Sequence, residues 1–177
     1  MSEFVAGRMP PAFYQAYLTP LFETWSDALV QVSPPRGKVL DVACWTGIVT
    51  RKIAAQPGVT SVTGIDIAQP MIEAAIAATD PDAPIEFSAF SADQIGFPDG
   101  QFQSSYCQQG LQFFPDKVAA INETGRLLES GGIATFAVWT FGKMVILFLV
   151  RLRKSRRASW APISFPSDHS HSGIASS

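Results

Sequence analysis

Short β-rich runs alternate with helical stretches from residue 38 to residue 139. This alternation is typical of parallel strands joined by crossover helices, so the sequence predicts an α/β fold. The predicted strands are residues 38–43, 61–66, 85–87, 102–107 and 133–139. The predicted helices between them are residues 47–55, 70–78 and 116–128, and residues 11–32 add one or two helices ahead of the sheet.

Composition fits one globular domain of moderate size. Of the 177 residues, 47% are hydrophobic and 16% are charged, which excludes a disordered chain. Cys44 and Cys107 are the two cysteines of the sequence, so neither a disulfide framework nor a zinc cluster is expected. No uninterrupted apolar stretch approaches the roughly 20 residues that span a bilayer, and residues 1–13 lack a secretory pattern. We therefore expect a cytoplasmic protein without a metal site.

The last 38 residues differ in kind from the first 139. Residues 1–139 hold seven basic and fourteen acidic residues, whereas residues 140–177 hold six basic and one acidic. We expect one folded domain over residues 1–139 and an atypical tail over residues 140–177. The tail is predicted to hold a short buried helix at 144–150, followed by a partly disordered basic and serine-rich end. Two alternatives are contact of the basic segment with a membrane surface or polyanion, and an altered or truncated C-terminus.

Two acidic residues, Asp41 and Asp66, lie in the last residues of two predicted strands. The sequence VLDVACWTG at residues 39–47 is a buried strand that runs into a turn of small residues and then a helix. In an open parallel sheet, ligands bind beyond the carboxyl ends of such strands. Asp66 ends the second strand, nineteen residues after Gly47, where its carboxylate can accept hydrogen bonds from two ribose hydroxyls. Together these motifs predict a nucleoside site, although Asp66 alone would also suit a turn or helix cap.

Five motifs in order resemble the class I S-adenosylmethionine-dependent methyltransferases, in the branch that includes the ubiquinone and menaquinone biosynthesis enzymes. Residues 39–47 resemble VLDVACGTG, residues 64–66 (GID) resemble the second acidic motif, and residues 91–100 (SADQIGFPDG) resemble DAxxLPFPDG. The segments 107–116 (CQQGLQFFPD) and 123–132 (ETGRLLESGG) continue the likeness. The resemblance implies a Rossmann-like parallel sheet of strand order 3-2-1-4-5 with helices on both faces, S-adenosylmethionine as cofactor, a small-molecule acceptor and no nucleic-acid partner.

The resemblance also implies which residues hold the cofactor. Asp41, the turn after it and Tyr14 would serve the methionyl part, and Asp66 would hold the ribose. The adenine would lie between Ile67 and Met71 on its faces and Ser91 and Ala92 at its edge, while Cys107 and Gln108 would lie near the sulfonium. The complete implied set is Tyr14, Asp41, Ala43, Cys44, Trp45, Gly47, Asp66, Ile67, Met71, Ser91, Ala92, Cys107 and Gln108.

Some of these positions have a structural alternative. Ile67, Met71 and Tyr14 would also suit packing, and Cys107 would suit a small buried hydrophobe. No catalytic residue is assigned, because the activated methyl group lies on the cofactor and the protein has mainly to align it. His169 and His171 lie in the serine-rich tail and are given no role.

Three departures from the family pattern bear on activity. Trp45 stands where the family has glycine, and a non-glycine residue at positive φ costs about 1–2 kcal/mol. Ser91 stands where the family has an aspartate that binds the adenine amino group. The family's sheet usually continues through a helix into a final antiparallel pair, and residues 140–177 show neither strand periodicity nor a hairpin turn, so we expect the last two strands to be missing.

These observations predict methyl transfer from S-adenosylmethionine to a carbon, oxygen or nitrogen of a small organic acceptor. The alternative is a non-catalytic or truncated relative whose cofactor binding is impaired by Trp45 and by the missing strands. A nicotinamide-dependent dehydrogenase is disfavoured, because residues 43–47 (ACWTG) lack the G-x-G-x-x-G fingerprint.

Overall fold

The computed structural model describes residues 19–140 and 143–151. Tyr14, the first residues of the predicted N-terminal helices and the serine-rich tail with its two histidines lie outside this range. In chain order the helices are α1 (Thr19–Val32), α2 (Ile48–Ala54), α3 (Gln69–Ala77) and α4 (Lys117–Leu127). The strands are β1 (Gly37–Val42), β2 (Val59–Asp66), β3 (Ile85–Ala89), β4 (Phe102–Gln108), β5 (Leu128–Thr140) and β6 (Lys143–Arg151), and a 3-10 turn (Leu111–Phe113) follows β4.

The strands form one sheet in the order β3-β2-β1-β4-β5-β6. The strands β3, β2, β1, β4 and β5 pair in parallel with their neighbours, which confirms the predicted order 3-2-1-4-5. Asp41 near the end of β1 is in register with Gly64 of β2 on one side and with Tyr106 of β4 on the other. Because parallel strands all end at the same edge, the segments after β1, β2 and β4 are brought together there.

Strand β6 corrects the expectation for the end of the sheet. It pairs antiparallel with β5, from Thr140 opposite Lys143 to Ile133 opposite Arg151. The prediction of a short helix at 144–150 is therefore wrong, because these residues form a strand. The prediction that the last two strands are both missing is wrong as well, because β6 is present. A continuous apolar run does not distinguish a buried helix from a strand by its periodicity, whereas the β-branched and aromatic residues in MVILFLV favour a strand.

Two buried clusters lie on opposite faces of the sheet. Val39 packs with Leu29 of α1 and with Val49 of α2 on one face. Its neighbour Leu40 packs on the other face with Leu127 of α4. Successive side chains of a strand point to opposite faces, so the buried apolar residues Val39, Leu40 and Val42 of β1 require helices on both faces of the sheet. The structure confirms this predicted arrangement.

Arg126 of α4 holds the long connection between β3 and β4 in place through hydrogen bonds. Its guanidinium donates to the carbonyl oxygens of Phe97 at 2.9 Å and Ile95 at 3.0 Å, and to the Asp99 carboxylate at 2.6 Å. Glu123, one turn earlier, accepts from the Ile95 N–H at 2.8 Å and from Arg126 at 2.7 Å. A fixed planar fork of donors suits this role, since it can hold several acceptors at once.

Replacing Arg126 by methionine is expected to lower the free energy of unfolding by about 1–3 kcal/mol, because two carbonyl oxygens and Glu123 lose charge-assisted bonds. Urea denaturation measures this change. The matched control is Lys38→Met, since the Lys38 side chain is exposed, and a shift below about 0.5 kcal/mol is expected there. Equal effects in the two variants would contradict the fastening role of Arg126.

Candidate functional site

The turn between β1 and α2 is tightly wound. Ala43, Trp45 and Gly47 all have positive φ, at 58°, 51° and 76°. Glycine is required at the last position, because a Cβ there would lie 2.9 Å from both Arg51 Nη1 and the Phe87 ring. The other two are not glycines, so the turn holds strain of the kind that concentrates at functional sites.

Asp66 at the end of β2 joins this turn to the neighbouring strand. Its Oδ2 accepts the Trp45 N–H at 3.1 Å, and its Oδ1 accepts the Ala68 N–H at 2.9 Å. Burial raises the pKa of Asp66 above its ordinary value, while the backbone N–H groups of Ala68, Trp45 and Ile67 oppose this rise. A carboxylate held by fixed N–H donors is a preorganised hydrogen-bond acceptor.

A cavity of about 510 Å³ opens beside Asp66 at the carboxyl edge of the sheet. Its volume lies within the range of small-molecule and cofactor sites. Seven of the residues assigned to the cofactor line it, namely Ala43, Trp45, Asp66, Ile67, Met71, Ser91 and Ala92. Sequence reasoning did not place the remaining lining residues there, which are Ile65, Ala68, Phe90, Asp93, Gly110, Gln112, Phe113, Phe114, Pro115, Asp116, Lys117 and Ala120.

Five other assigned residues are buried and are not among the residues that line the cavity. Asp41, Cys44, Gly47, Cys107 and Gln108 are all buried. Burial raises the pKa of both thiols, and of Cys107 to about 12, so neither side chain is a reactive thiolate. These residues shape the ends of β1 and β4, on which the wall is built.

Asp41 is a buried carboxyl group near the end of β1. Its Oδ2 accepts the Thr50 hydroxyl at 2.6 Å, which ties β1 to α2. Burial raises the pKa of Asp41 to about 7; the Thr50 hydrogen bond opposes the rise and the charge of Asp66 adds to it.

The Trp45 indole borders the cavity without filling it. The side chain packs against the cluster of Phe22 and Ile48, together with Trp25 of α1. Its positive φ is the strained conformation anticipated for a non-glycine residue at this position. The indole therefore serves as a wall between α1 and the cavity beside Asp66.

Ser91 and Asp93 together place a charge where the resemblance had pointed to an aspartate. The Ser91 hydroxyl donates a hydrogen bond to Asp93 Oδ1, and both residues line the cavity. The carboxylate that is missing at position 91 is thus present two residues later. Sequence reasoning missed Asp93, although it lies inside the quoted motif at 91–100, because the tight turn between Ser91 and Gln94 sets its direction.

Other site types find no support in the described residues. Among residues 19–140 and 143–151, no group of three or more histidine, cysteine or acidic side chains could hold a metal ion. Within the same ranges, none of the helices is both long enough and apolar enough to cross a membrane.

Comparison with known proteins shows which family the chain resembles. The sequence profile of a family described as a methyltransferase domain matches residues 39–132, more than half of the chain. The ubiquinone/menaquinone biosynthesis C-methyltransferase UbiE of Geotalea daltonii is 34% identical over 102 residues, which cover 55% of this chain and 43% of that protein. The demethylmenaquinone methyltransferase of Bacillus licheniformis is 32% identical over 111 residues, covering 61% and 48%. The chain thus spans less than half the length of these curated relatives.

Solved structures share the architecture. A SAM-dependent methyltransferase from Aquifex aeolicus superposes with a TM-score of 0.67 at 14% sequence identity. The superposition covers 77% of this chain and 76% of that one. At this identity the likeness establishes the fold alone.

Proposed function

The chain belongs to the methyltransferase-domain family, and we propose that it transfers a methyl group from S-adenosylmethionine to a small organic acceptor. Its curated relatives include enzymes of ubiquinone and menaquinone biosynthesis. The observation that carries the proposal is the cavity of about 510 Å³ beside the preorganised Asp66 carboxylate. It lies at the carboxyl edge of the central strands, where open α/β sheets bind their ligands.

Orphaned polar atoms support the fit of this cofactor. Thr46 Oγ1 and Gln108 Oε1 are buried without a hydrogen-bond partner among the described residues. Thr46 lies in the turn after β1 and Gln108 is the last residue of the neighbouring strand β4. A hydroxyl oxygen and an amide oxygen can meet the ammonium and carboxylate of a methionyl group, the hydroxyl as donor or acceptor and the amide oxygen as acceptor. Gly110 packs closely on the turn after β1, because a Cβ at position 110 would lie 2.6 Å from that of Ala43.

The side chains on the cavity wall suit the adenosine part. In the proposed complex, Asp66 accepts the two ribose hydroxyls, while Met71, which is buried, and Ile67, which is 65% exposed, contact the adenine faces. Ser91 and Asp93 present oxygen acceptors to the adenine edge. The polar and apolar parts of the wall thus match a nucleoside.

The proposed reaction depends on alignment more than on proton transfer. The bound cofactor supplies a methyl group already activated on a sulfonium. The apolar wall residues Phe90, Phe113 and Phe114 exclude water from the reacting centre and position the acceptor. The names of the two relatives concern quinone biosynthesis, which supports a ring compound as the acceptor.

A second candidate is a non-catalytic relative with impaired cofactor binding. The observation in its favour is the φ of 51° at Trp45, a strained conformation for a tryptophan. In this reading the turn would bind the cofactor only after Trp45 is replaced.

Calorimetric titration with S-adenosylmethionine and S-adenosylhomocysteine tests the two candidates. We expect the wild-type protein to bind both ligands. Trp45→Gly is expected to change either Kd by less than about three-fold, because the indole is packed against Phe22 and Ile48. Trp25→Leu, in the same cluster but off the cavity wall, is the control. No heat at millimolar ligand, or a gain of ten-fold or more in Trp45→Gly, would favour the non-catalytic candidate.

A further inference from the structure

The strained turn between β1 and α2 is held by hydrogen bonds to two of its peptide groups. Trp45 has a φ of 51°, a left-handed conformation that is uncommon for a residue other than glycine. Its N–H donates to the Asp66 carboxylate at 3.1 Å, which fixes the peptide group before it. The peptide group that joins Thr46 to Gly47 is fixed at its nitrogen, because the Gly47 N–H donates to the Cys44 carbonyl oxygen at 2.9 Å. The other polar atom of that group is the Thr46 carbonyl oxygen.

Arg51 of α2 donates a hydrogen bond to this oxygen. Its Nη1 lies 2.8 Å from the Thr46 carbonyl oxygen and 3.3 Å from Oγ1 of Thr79, which follows α3. The Thr79 hydroxyl in turn donates to the Ala75 carbonyl oxygen of α3 at 2.7 Å. Arg51 is half-buried and is not among the residues that line the cavity. Any effect of Arg51 on a ligand in the cavity therefore passes through the turn.

Helix α2 does not supply the bond that the Thr46 carbonyl oxygen needs. In a continuous helix this oxygen would accept the N–H of Thr50, four residues later. The N–H and the hydroxyl of Thr50 both donate to the Asp41 carboxylate instead, the hydroxyl at 2.6 Å. Thr46 is fully buried, and a buried carbonyl oxygen without a donor is costly. The Arg51 side chain meets this requirement.

We propose that Arg51 is a positioning residue, which keeps the turn in its cofactor-binding conformation although position 45 carries a tryptophan. This inference rests on the proposed methyl transfer and adds a residue on which its cofactor site depends. Asp66 and Arg51 hold the peptide groups on the two sides of the Trp45–Thr46 pair. A change of φ at Trp45 moves one of these groups and strains its hydrogen bond.

The tryptophan makes this restraint necessary. A residue with a Cβ is strained at a φ of 51°, whereas glycine adopts such angles about as readily as negative ones. A glycine at position 45 would keep the conformation with fewer restraints. The need for Arg51 is therefore expected to depend on Trp45. A contribution of Arg51 to the stability of α2 alone would not depend on it.

A double-mutant cycle tests this dependence. Calorimetric titration gives the Kd of S-adenosylhomocysteine for the wild-type protein, Arg51→Met, Trp45→Gly and the double variant. Arg51→Met is expected to weaken binding about ten-fold when Trp45 is present, which equals about 1.4 kcal/mol. In the Trp45→Gly background the same substitution is expected to change the Kd by less than about two-fold. An equal loss in both backgrounds, or no loss in either, would overturn the proposal.

The matched control is Lys52→Met, since Lys52 is the next residue of α2 and pairs with Asp27 at 2.5 Å, away from the turn. It is expected to leave the Kd within about two-fold of the wild-type value. Arg51→Lys takes the place of Arg51→Met if that variant does not fold. A lysine keeps the charge and a donor on a shorter side chain, so about a three-fold loss is expected in the presence of Trp45 and none in the Trp45→Gly background.

Amide hydrogen exchange in the ligand-free protein tests the same restraint without a cofactor. The Gly47 N–H, which is present in all of these proteins, is followed by NMR. Arg51→Met is expected to speed its exchange about ten-fold when Trp45 is present and less than about two-fold in the Trp45→Gly background. Unchanged exchange in Arg51→Met refutes the role of Arg51. Faster exchange in Arg51→Met, together with no binding of S-adenosylhomocysteine by the wild-type protein, supports the restraint and counts against the proposed methyl transfer alone.

Discussion

Replacing Asp66 by leucine is expected to weaken binding of S-adenosylmethionine and S-adenosylhomocysteine by about 100-fold. The variant loses the proposed ribose acceptors, and it frees the N–H groups of Trp45 and Ala68 that now bond to the carboxylate. Two charge-assisted hydrogen bonds of about 1.5 kcal/mol each account for such a change. Asp66→Asn keeps one acceptor oxygen and is expected to lose about ten-fold. Calorimetric titration of folded protein measures both effects.

The control for Asp66 is an exposed aspartate that lies outside the site, at the opposite edge of the sheet. Asp82, in the exposed connection before β3, is replaced by asparagine, and the two Kd values are expected to stay within about two-fold. Circular dichroism establishes that each variant is folded. Wild-type affinity in a folded Asp66→Leu protein would remove the main support for nucleoside binding at this cavity.

The parallel strands and the position of Asp66 could be predicted because they depend on local patterns, whereas the strand order was implied by the family resemblance. The period of the apolar residues distinguishes the parallel strands from the helices between them, and parallel strands require all their carboxyl ends to lie at one edge. Asp66 follows one such strand and the turn through Trp45 follows its neighbour, so their contact was already implied by the topology. The 3.1 Å hydrogen bond between them is the structural form of that prediction.

The wall after β4 could not be predicted in the same way. Gln112 and Phe113 lie in a short 3-10 turn, where a change of one residue in the register directs a different side chain into the cavity. Likewise, Asp93 faces the site because Ser91 and Gln94 form a tight bridge. Strand β6 was missed for another reason. Its unbroken apolar sequence has no periodicity that separates a strand from a buried helix, and its antiparallel pairing with β5 cannot be read from the sequence.

Asp41 is expected to make the stability of the free protein fall as the pH rises. Its pKa is about 7 in the folded state because of burial, against an ordinary value of 3.8, so the folded protein keeps a proton that the unfolded chain releases. The stabilisation is fully present below about pH 4, is lost progressively up to about pH 7 and changes little above that. A shift of this size corresponds to a free energy of unfolding on the order of 2–4 kcal/mol.

Asp41→Asn removes the titrating group and keeps an oxygen that can accept the Thr50 hydroxyl, which now bonds to Asp41 at 2.6 Å. The variant is therefore expected to match wild type near pH 4 and to exceed it in free energy of unfolding by about 2–4 kcal/mol at pH 8. Urea denaturation at several pH values gives the difference curve, in which contributions from groups common to both proteins cancel. A flat difference across this range would mean that Asp41 is already ionised in the folded protein.

The ammonium group of a bound methionyl moiety favours the ionised form of the Asp41 carboxyl group. Binding of S-adenosylmethionine to the wild-type protein is therefore expected to tighten between about pH 6 and about pH 8, around the Asp41 pKa of about 7. Asp41→Asn is expected to remove this pH dependence, which calorimetric titration at the two pH values measures.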